Sequence, residues 1–249
     1  MTIEKPELPE MRELWQKTLG WQPDSNGQHQ FQQLYEKILY SNRQFNLTRI
    51  TEPREFWEKH LWDSLRGLVP LGLAEMAVQK QPLTVIDVGT GAGFPGIPVA
   101  ITLAAYRVTL VDSTRKKIAF LKTVLTKLGI DNAMTLTARA EQLGRQQSDR
   151  ESYDIALLRA VGSASACAEY ALPLLKTGGV AILYRGYWND EETQVLEAAV
   201  EKLGGAISSI EAFTTPLSHS VRHCIYLQKL SRTPAEFPRA VGIPAKEPL

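Results

Sequence analysis

The sequence predicts an α/β protein whose sheet is doubly wound, seven-stranded and mostly parallel, with helices before it and an antiparallel hairpin at its end. Between residues 83 and 203, five short apolar segments alternate with helical segments, as parallel strands joined by crossover helices do. Two more strands follow with no helical segment between them, and such a pair can only be antiparallel. Helical periodicity dominates the residues before the first strand.

The helices and strands are assigned from their periodicity and their ends. In the N-terminal part, one helix face carries the apolar residues Phe31, Leu34, Tyr35, Ile38 and Leu39. A second helix is expected from Pro53 to Leu65, with Thr51 as its N-cap. The predicted strands are 83–89, 107–112, 133–138, 153–160, 180–186, 206–213 and 222–230. The predicted helices between them are 95–105, 115–129, 164–176 and 191–203.

Composition and spacing divide the chain into a helical extension over residues 1–80, a sheet domain over 81–232 and a proline-rich, irregular tail over 233–249. With 44% hydrophobic and 22% charged residues, the composition is that of an ordinary globular protein. No apolar run approaches the roughly 20 residues that a membrane span needs, and no signal peptide is predicted. The two cysteines, Cys167 and Cys224, indicate neither a disulfide nor a metal site and are typical of a cytoplasmic protein.

A glycine-rich loop follows the first strand and opens the next helix, which is where such sheets bind nucleotide cofactors. Gly91, Gly93 and Gly96 have the spacing of a dinucleotide-binding loop, and Asp112 lies about 20 residues further on. The charge of the loop favours a different ligand, because the carboxylate of Asp87 would repel a pyrophosphate. It would attract an ammonium and a sulfonium, so the loop predicts S-adenosylmethionine.

Acidic residues also lie at the end of the second strand and just after the third strand. Asp112, with Ser113 and Thr114 after it, can accept both ribose hydroxyls of a cofactor, although it could instead cap the next helix. Ala140 and Glu141 follow the third strand, where the adenine of the cofactor would lie, although a loop glutamate is often simply solvated.

Motifs that this sequence lacks narrow the reaction class. Methylation of the adenine amine typically uses an Asn/Asp-Pro-Pro-aromatic motif after the fourth strand, where this chain has Leu-Arg-Ala-Val-Gly at 158–162. Methylation of a pyrimidine carbon needs a nucleophilic cysteine beside a proline, and neither cysteine has that neighbour. Guanine N7 carries a lone pair and no proton, so positioning alone can promote its methylation. The sequence is consistent with that nucleophile but does not establish it.

Three motifs occur together in this chain, namely Asn-Leu-Thr, His-x-x-Asp-Ser and Gly-x-x-Gly-Ile-Pro. The matching segments are Phe45-Asn46-Leu47-Thr48, His60-Leu61, Asp63-Ser64-Leu65, 87–98, Asp112-Ser113, 139–141, Arg159-Ala160 and Arg222-His223. In these segments the chain resembles the bacterial small-subunit ribosomal RNA N7-guanine methyltransferase family, called RsmG or GidB, and the resemblance covers nearly its whole length. The predicted sheet is likewise that of Rossmann-like class I methyltransferases.

The resemblance implies a guanine in the decoding-centre hairpin of small-subunit ribosomal RNA as the substrate, presented by free RNA or by the 30S particle. It implies contacts to S-adenosylmethionine at Gly89, Phe94, Asp112, Ala140, Glu141 and Arg159. Arg159 is expected to position the reacting groups, without a general base. One departure lies at the end of the fifth strand, where the family often has Lys-Gly and this chain has Arg185-Gly186.

Several further side chains are candidates for contacting RNA. His60 and Asp63 share a helix face and are expected, with Asn46, at the mouth of the cofactor cleft, although they could instead serve helix packing. Two basic clusters, Arg115–Lys117 and Arg222–Arg239, are expected to flank that mouth. The single positions proposed to contact RNA also include Arg115, Lys116, Arg139, Arg185, Arg222 and His223.

Two alternative functions stay open. A nicotinamide-dependent oxidoreductase would need a separate substrate domain with a proton donor after residue 160, and none is visible. A cofactor-sensing RNA-binding assembly factor without turnover also fits, because no catalytic base marks an enzyme. We expect a monomer with no membrane partner.

Overall fold

The computed structural model describes residues 6–249, without the side chains of residues 43–45. Residues 1–5 of the predicted extension and the side chain of Phe45 therefore lie outside the described residues. The α-helices are α1 (Arg12–Leu19), α2 (Ser25–Phe45), α3 (Pro53–Phe56), α4 (Asp63–Arg66), α5 (Leu73–Val78), α6 (Gly96–Thr102), α7 (Arg115–Leu128), α8 (Ala140–Leu143), α9 (Ala164–Ala171), α10 (Asp190–Lys202) and α11 (Ile243–Lys246). The strands are β1 (Thr84–Val88), β2 (Arg107–Asp112), β3 (Ala133–Thr137), β4 (Tyr153–Arg159), β5 (Leu175–Arg185), β6 (Gly205–Thr214) and β7 (Val221–Lys229).

The strands form one seven-stranded sheet in the order β3-β2-β1-β4-β5-β7-β6. The first five are parallel, and β7 is antiparallel to both β5 and β6, so the predicted fold class is confirmed. Because β7 runs in the opposite direction, it begins at the edge where the parallel strands end. Its second and third residues, Arg222 and His223, therefore lie beside the end of β5, with Arg185 opposite His223.

Helices cover both faces of the sheet with apolar side chains. On one face a hydrophobic cluster joins α6 and α7 to the N-terminal helices through Trp15, Phe31 and Trp57. On the other face α9 packs on β4 and β5, and α10 packs on α9 and β6. The N-terminal helices thus share a core with the sheet, and the boundary at residue 80 stays a prediction. Within the described part of the chain, a helix able to span a membrane is not found.

The helix that begins at Pro53 differs from the prediction in two ways. Its N-cap is Glu52 and not Thr51, because the Glu52 carboxylate accepts the N–H groups of Arg54 and Glu55. A six-residue π-helical segment, Trp57–Trp62, separates α3 from α4. Such segments are rare and are frequent at functional sites. This one carries His60 and leads directly into Asp63.

The helix predicted over 164–176 is too long. The α-helix ends at Ala171, residues 172–174 form a 3-10 turn, and β5 begins at Leu175. Pro173 has no N–H to continue the α-helical bonds, so the chain leaves the helix there. Apolar periodicity alone did not reveal this early end.

Candidate active site

A cavity of about 320 Å³ lies at the carboxyl ends of β1 to β4. Doubly wound sheets bind their ligands at this edge. The cavity is lined by Val88, Gly89, Val111, Asp112, Ser113, Thr114, Lys117, Ala138, Arg139, Ala140, Glu141, Ala160, Val161, Tyr170 and Ala245. Most of the predicted cofactor residues are therefore brought to one place.

The glycine-rich loop meets this cavity at its first glycine, Gly89, and the loop residues after Gly89 are not part of the lining. Gly89 has a φ of +73°, and a Cβ on it would lie 2.8 Å from a methyl of Val161. A Cβ on Gly96 would lie 2.2 Å from Leu110, so the start of α6 can pack this closely only with glycine. Both positions confirm that the loop needs glycine for steric reasons.

Asp112 is both a capping residue and a cavity residue. Its Oδ1 accepts the N–H of Thr114 at 2.8 Å, just before α7, and its Oδ2 accepts the N–H of Gly91 at 3.1 Å. The Nζ of Lys117 lies 3.6 Å from the same Oδ2. A carboxylate has about four lone-pair positions, so Asp112 retains acceptor capacity for a ligand. The two interpretations of Asp112 from the sequence are therefore compatible.

Asp87 lies beneath the loop and not on the cavity surface. The residue is fully buried, and its Oδ2 accepts the N–H of Gly96 at 2.8 Å. Burial raises the pKa of Asp87 to about 6, against the lowering effect of its hydrogen bonds. Gly91, Phe94 and Arg159 are likewise not among the lining residues. Direct cofactor contacts by these four residues stay predictions.

At the end of β4, Arg159 joins an ion-pair cluster that we call the Asp63 cluster, formed by Asp63, Arg159 and Arg222. One Asp63 oxygen, Oδ2, lies 3.1 Å from a guanidinium nitrogen of Arg159 and 3.2 Å from one of Arg222. The same Arg159 nitrogen donates to the carbonyl of Lys59 in the π-helical segment at 3.0 Å. Only 3% of the Asp63 side chain is exposed, so this carboxylate holds two arginines in place and does not face solvent.

His60 packs against the same group of residues. Its ring stacks on Phe94 with centroids 4.3 Å apart and planes inclined by 6°, and its Nε2 shares a 2.8 Å hydrogen bond with the Thr48 hydroxyl. The guanidinium of Arg159 lies 5.6 Å from the Phe94 ring centroid. Burial and the nearby cations, Arg159 and Lys59, lower the pKa of His60 to about 3. His60 is therefore neutral near pH 7.

The other RNA candidates are distributed along the same edge. Arg115 and Lys116 are exposed at the start of α7, and Asn46 is exposed at the C-terminal end of α2. Arg185 donates to the carbonyl of Gly162 at 2.7 Å. The Nδ1 of His223 shares a 2.8 Å hydrogen bond with the carbonyl of Gly186, and Arg139 lines the cavity itself.

The basic cluster Arg222–Arg239, predicted to flank the cleft mouth together with Arg115–Lys117, is divided between different parts of the structure. Strand β7 runs from the end of the sheet at which the parallel strands finish to the opposite end. Only the beginning of β7 therefore lies near Arg159. Arg222 pairs with Asp63, whereas Arg232, beyond the far end of β7, pairs with Glu151. Arg239 pairs with Glu169 of α9. These arginines hold three different parts of the structure together.

Three contributing residues were not recognised as such from the sequence. Lys117 was included only in a basic cluster, but its position one turn into α7 brings it to Asp112. Tyr170 lines the cavity from α9, and no sequence signal distinguishes it from a core residue. Glu58 is buried, and its carboxylate accepts the N–H of Ser218 at 2.9 Å, which fastens the β6–β7 loop.

A family described as "GidB: rRNA small subunit methyltransferase G" matches residues 27–224. A "Ribosomal RNA small subunit methyltransferase G" from Trichormus variabilis is 62% identical over 244 residues, which is 97% of this chain and 98% of the relative. One with the same name from Synechococcus elongatus is 52% identical over 94% of this chain and 95% of the relative.

Solved structures of similar shape support the same fold. An S-adenosylmethionine-dependent O-methyltransferase from Thermotoga maritima matches with a TM-score of 0.52 and 16% identity, over 81% of this chain and 72% of that chain. At this identity the likeness shows the fold alone. The full-length relatives and the family match confirm the resemblance seen in the sequence motifs, and this chain belongs to the rRNA small subunit methyltransferase G (GidB) family.

Proposed function

We propose that this protein transfers a methyl group from S-adenosylmethionine to N7 of a guanine in small-subunit ribosomal RNA. The observation that carries the proposal is the cavity at the carboxyl ends of β1 to β4, lined by Gly89 of the glycine loop and by Asp112. The names of the relatives support ribosomal RNA of the small subunit as the substrate class.

The residues of the cavity fit the proposed cofactor. Asp112 would accept the ribose hydroxyls, because its carboxylate lines the cavity between Gly89 and Thr114. Ala140 and Glu141 would face the adenine. S-adenosylmethionine supplies an electrophilic methyl group on its sulfonium sulfur. A cavity of this volume lies within the range of small-ligand sites.

The chemistry of guanine N7 fits the groups around Arg159. The N7 lone pair forms the new N–C bond as the C–S bond breaks, and no proton has to be removed. His60 is neutral and bonded to Thr48, and Asp63 is held between two arginines. Both side chains thus have structural partners, and neither is free to act as a base. A reaction that depends on positioning alone does not need one. Arg159 would orient the base beside Phe94.

Methyl transfer from labelled S-adenosylmethionine tests the proposed function. The purified protein is incubated with 30S particles, and separately with free small-subunit RNA, each prepared without the modification, and the nucleosides are then analysed by mass spectrometry. We expect labelled 7-methylguanosine. Label in another nucleoside would contradict N7 specificity. Binding of cofactor and RNA without transfer would indicate an assembly factor, and binding of a nicotinamide dinucleotide alone would indicate an oxidoreductase.

Replacing Asp112 should separate its two roles. Asp112→Ala is expected to weaken S-adenosylmethionine binding by about 1.5–3 kcal/mol, the range for hydrogen bonds to charged groups. Asp112→Asn retains one oxygen for the N–H of Thr114 but loses the charge, so it should preserve stability better than affinity. Calorimetric titration and urea unfolding of both variants measure the two effects. If Asp112→Ala binds the cofactor with normal affinity, the role of Asp112 is limited to capping α7.

Asp87 should make cofactor binding depend on pH. Burial raises its pKa to about 6, and a bound cation nearby would favour the ionised carboxylate. Affinity should therefore increase from pH 5 to pH 7, with proton release on binding. The stability of the protein without cofactor should change with pH in the opposite direction. The contribution of Asp87 to the free energy of unfolding is present below its unfolded pKa of about 3.9 and is lost as the pH rises through about 6.

Calorimetry in two buffers of different ionisation enthalpy detects the proton release. Asp87→Asn cannot titrate and serves as the control, in which the pH dependence from this residue should vanish. An affinity in the natural chain that stays constant from pH 5 to pH 7 would show that the cofactor cation does not reach Asp87.

A further inference from the structure

The C-terminal tail, residues 233–249, turns back from the far edge of the sheet toward the cavity. The family match ends at residue 224, so it assigns no role to this tail. In the structure the tail lies against α8 and α9, and its last part contains the short helix α11.

Arginines of the sheet domain hold the first part of the tail by its backbone. Arg150 donates to the carbonyls of Thr233 at 2.6 Å and Phe237 at 2.8 Å. Arg145 donates to the carbonyl of Pro238 at 2.7 Å. Hydrogen bonds from charged donors are stronger than those between neutral groups, so they hold the backbone of this part of the tail in one conformation.

A buried ion pair anchors the middle of the tail. Arg239 donates from its backbone N–H and its guanidinium to the carboxylate of Glu169, with a shortest contact of 2.7 Å. The Glu169 side chain has 0% exposure. The guanidinium of Arg239 also donates to the carbonyl of Glu247 at 2.8 Å, which holds the end of the tail next to this ion pair.

Beyond this anchor, the tail reaches the cavity. The N–H of Gly242 donates to Oε1 of Glu141 at 2.9 Å, and Glu141 is itself a lining residue. Ala245, one turn further, lines the cavity together with Tyr170 and Glu141. The tail therefore orients one acidic cavity residue and contributes a surface of its own.

We propose that residues 242–245 form one wall of the cofactor site, so that the tail sets the affinity for S-adenosylmethionine. Gly242 acts as a positioning residue through Glu141, and Ala245 is a contact residue. Because Arg145, Arg150 and Arg239 hold the tail in place, the wall is present before the cofactor binds, and little ordering has to occur on binding. This inference rests on the proposed function, since it concerns the same cofactor.

The test compares four proteins by calorimetric titration with S-adenosylmethionine: the natural chain, Ala245→Trp, Lys246→Trp and a chain that ends at Ala240. Ala245 is exposed to the cavity side, so a larger side chain there can be accommodated without disturbing the core. Ala245→Trp and the shortened chain should bind about tenfold more weakly or worse. Lys246→Trp places the same indole side chain beside the lining but not in it, and this variant should bind normally. The shortened chain retains the Arg239–Glu169 pair.

Hydrogen exchange gives a second readout. In the natural chain, S-adenosylmethionine should slow exchange of the amides over 241–246. Normal affinity of Ala245→Trp, together with unchanged exchange in the tail, would overturn the tail proposal alone. Failure of the natural chain to bind S-adenosylmethionine would instead overturn the proposed function, and the tail proposal with it. If the shortened chain does not fold, Ala245→Trp decides.

Discussion

Replacing Arg159 by alanine is expected to slow methyl transfer by about 100-fold even when RNA is saturating, because small misplacements of reacting groups cost rates of this order. The guanidinium is fixed by Asp63 and by the Lys59 carbonyl, and it lies near the face of Phe94. Only 13% of the side chain is exposed, and the next two residues along the chain, Ala160 and Val161, line the cavity. Single-turnover methylation with excess enzyme and saturating RNA measures this step.

Two variants serve as controls for Arg159. Lys116→Ala removes an exposed cation at the start of α7. It should leave the saturated rate unchanged and lower the log–log salt slope of RNA binding by about 0.7–0.9, the loss of one phosphate contact. Arg159→Lys preserves the charge without the planar fork and should stay slow. A normal saturated rate in Arg159→Ala would reduce Arg159 to an RNA or structural contact.

Replacing Asp63 by alanine is expected to lower the free energy of unfolding by about 3–5 kcal/mol, the usual cost of removing one partner from a buried ion pair. Its carboxylate is the shared partner of Arg159 and Arg222, which come from β4 and β7. Without it, two cations of the Asp63 cluster face each other with no counter-charge. The free energy of unfolding of a typical domain is only about 5–15 kcal/mol, so the variant would lose a large part of its stability.

Urea unfolding measures this effect, and a double-mutant cycle with Arg222→Ala identifies its origin. If the cost is an unpaired charge, Arg222→Ala should restore part of the stability of Asp63→Ala. Asp63→Asn, which retains an oxygen acceptor, should be less destabilised. A loss below about 1 kcal/mol in Asp63→Ala would mean that solvent screens this cluster as it screens surface pairs.

The sequence by itself determined the order of the strands along the chain, the hairpin at the end of the sheet and the glycine loop. These features depend on neighbours a few residues apart. A buried strand is a short apolar run, and a close approach of loop and helix requires glycine, as at Gly96. Asp112 and Glu141 could be placed at the cavity because Asp112 ends one parallel strand, Glu141 comes soon after the next, and the carboxyl ends of these strands lie side by side.

Only the tertiary structure decided which distant side chains meet. Asp63 bonds to Arg159, 96 positions away, and the N–H of Gly242 reaches Glu141 across 101 positions. The periodicity of a sequence segment does not predict such a pair. The contact depends on where each helix or strand ends and on its direction relative to the others. The tail shows this most clearly. Its prolines indicate an irregular path, but backbone carbonyls, which every residue carries, are what Arg145 and Arg150 hold.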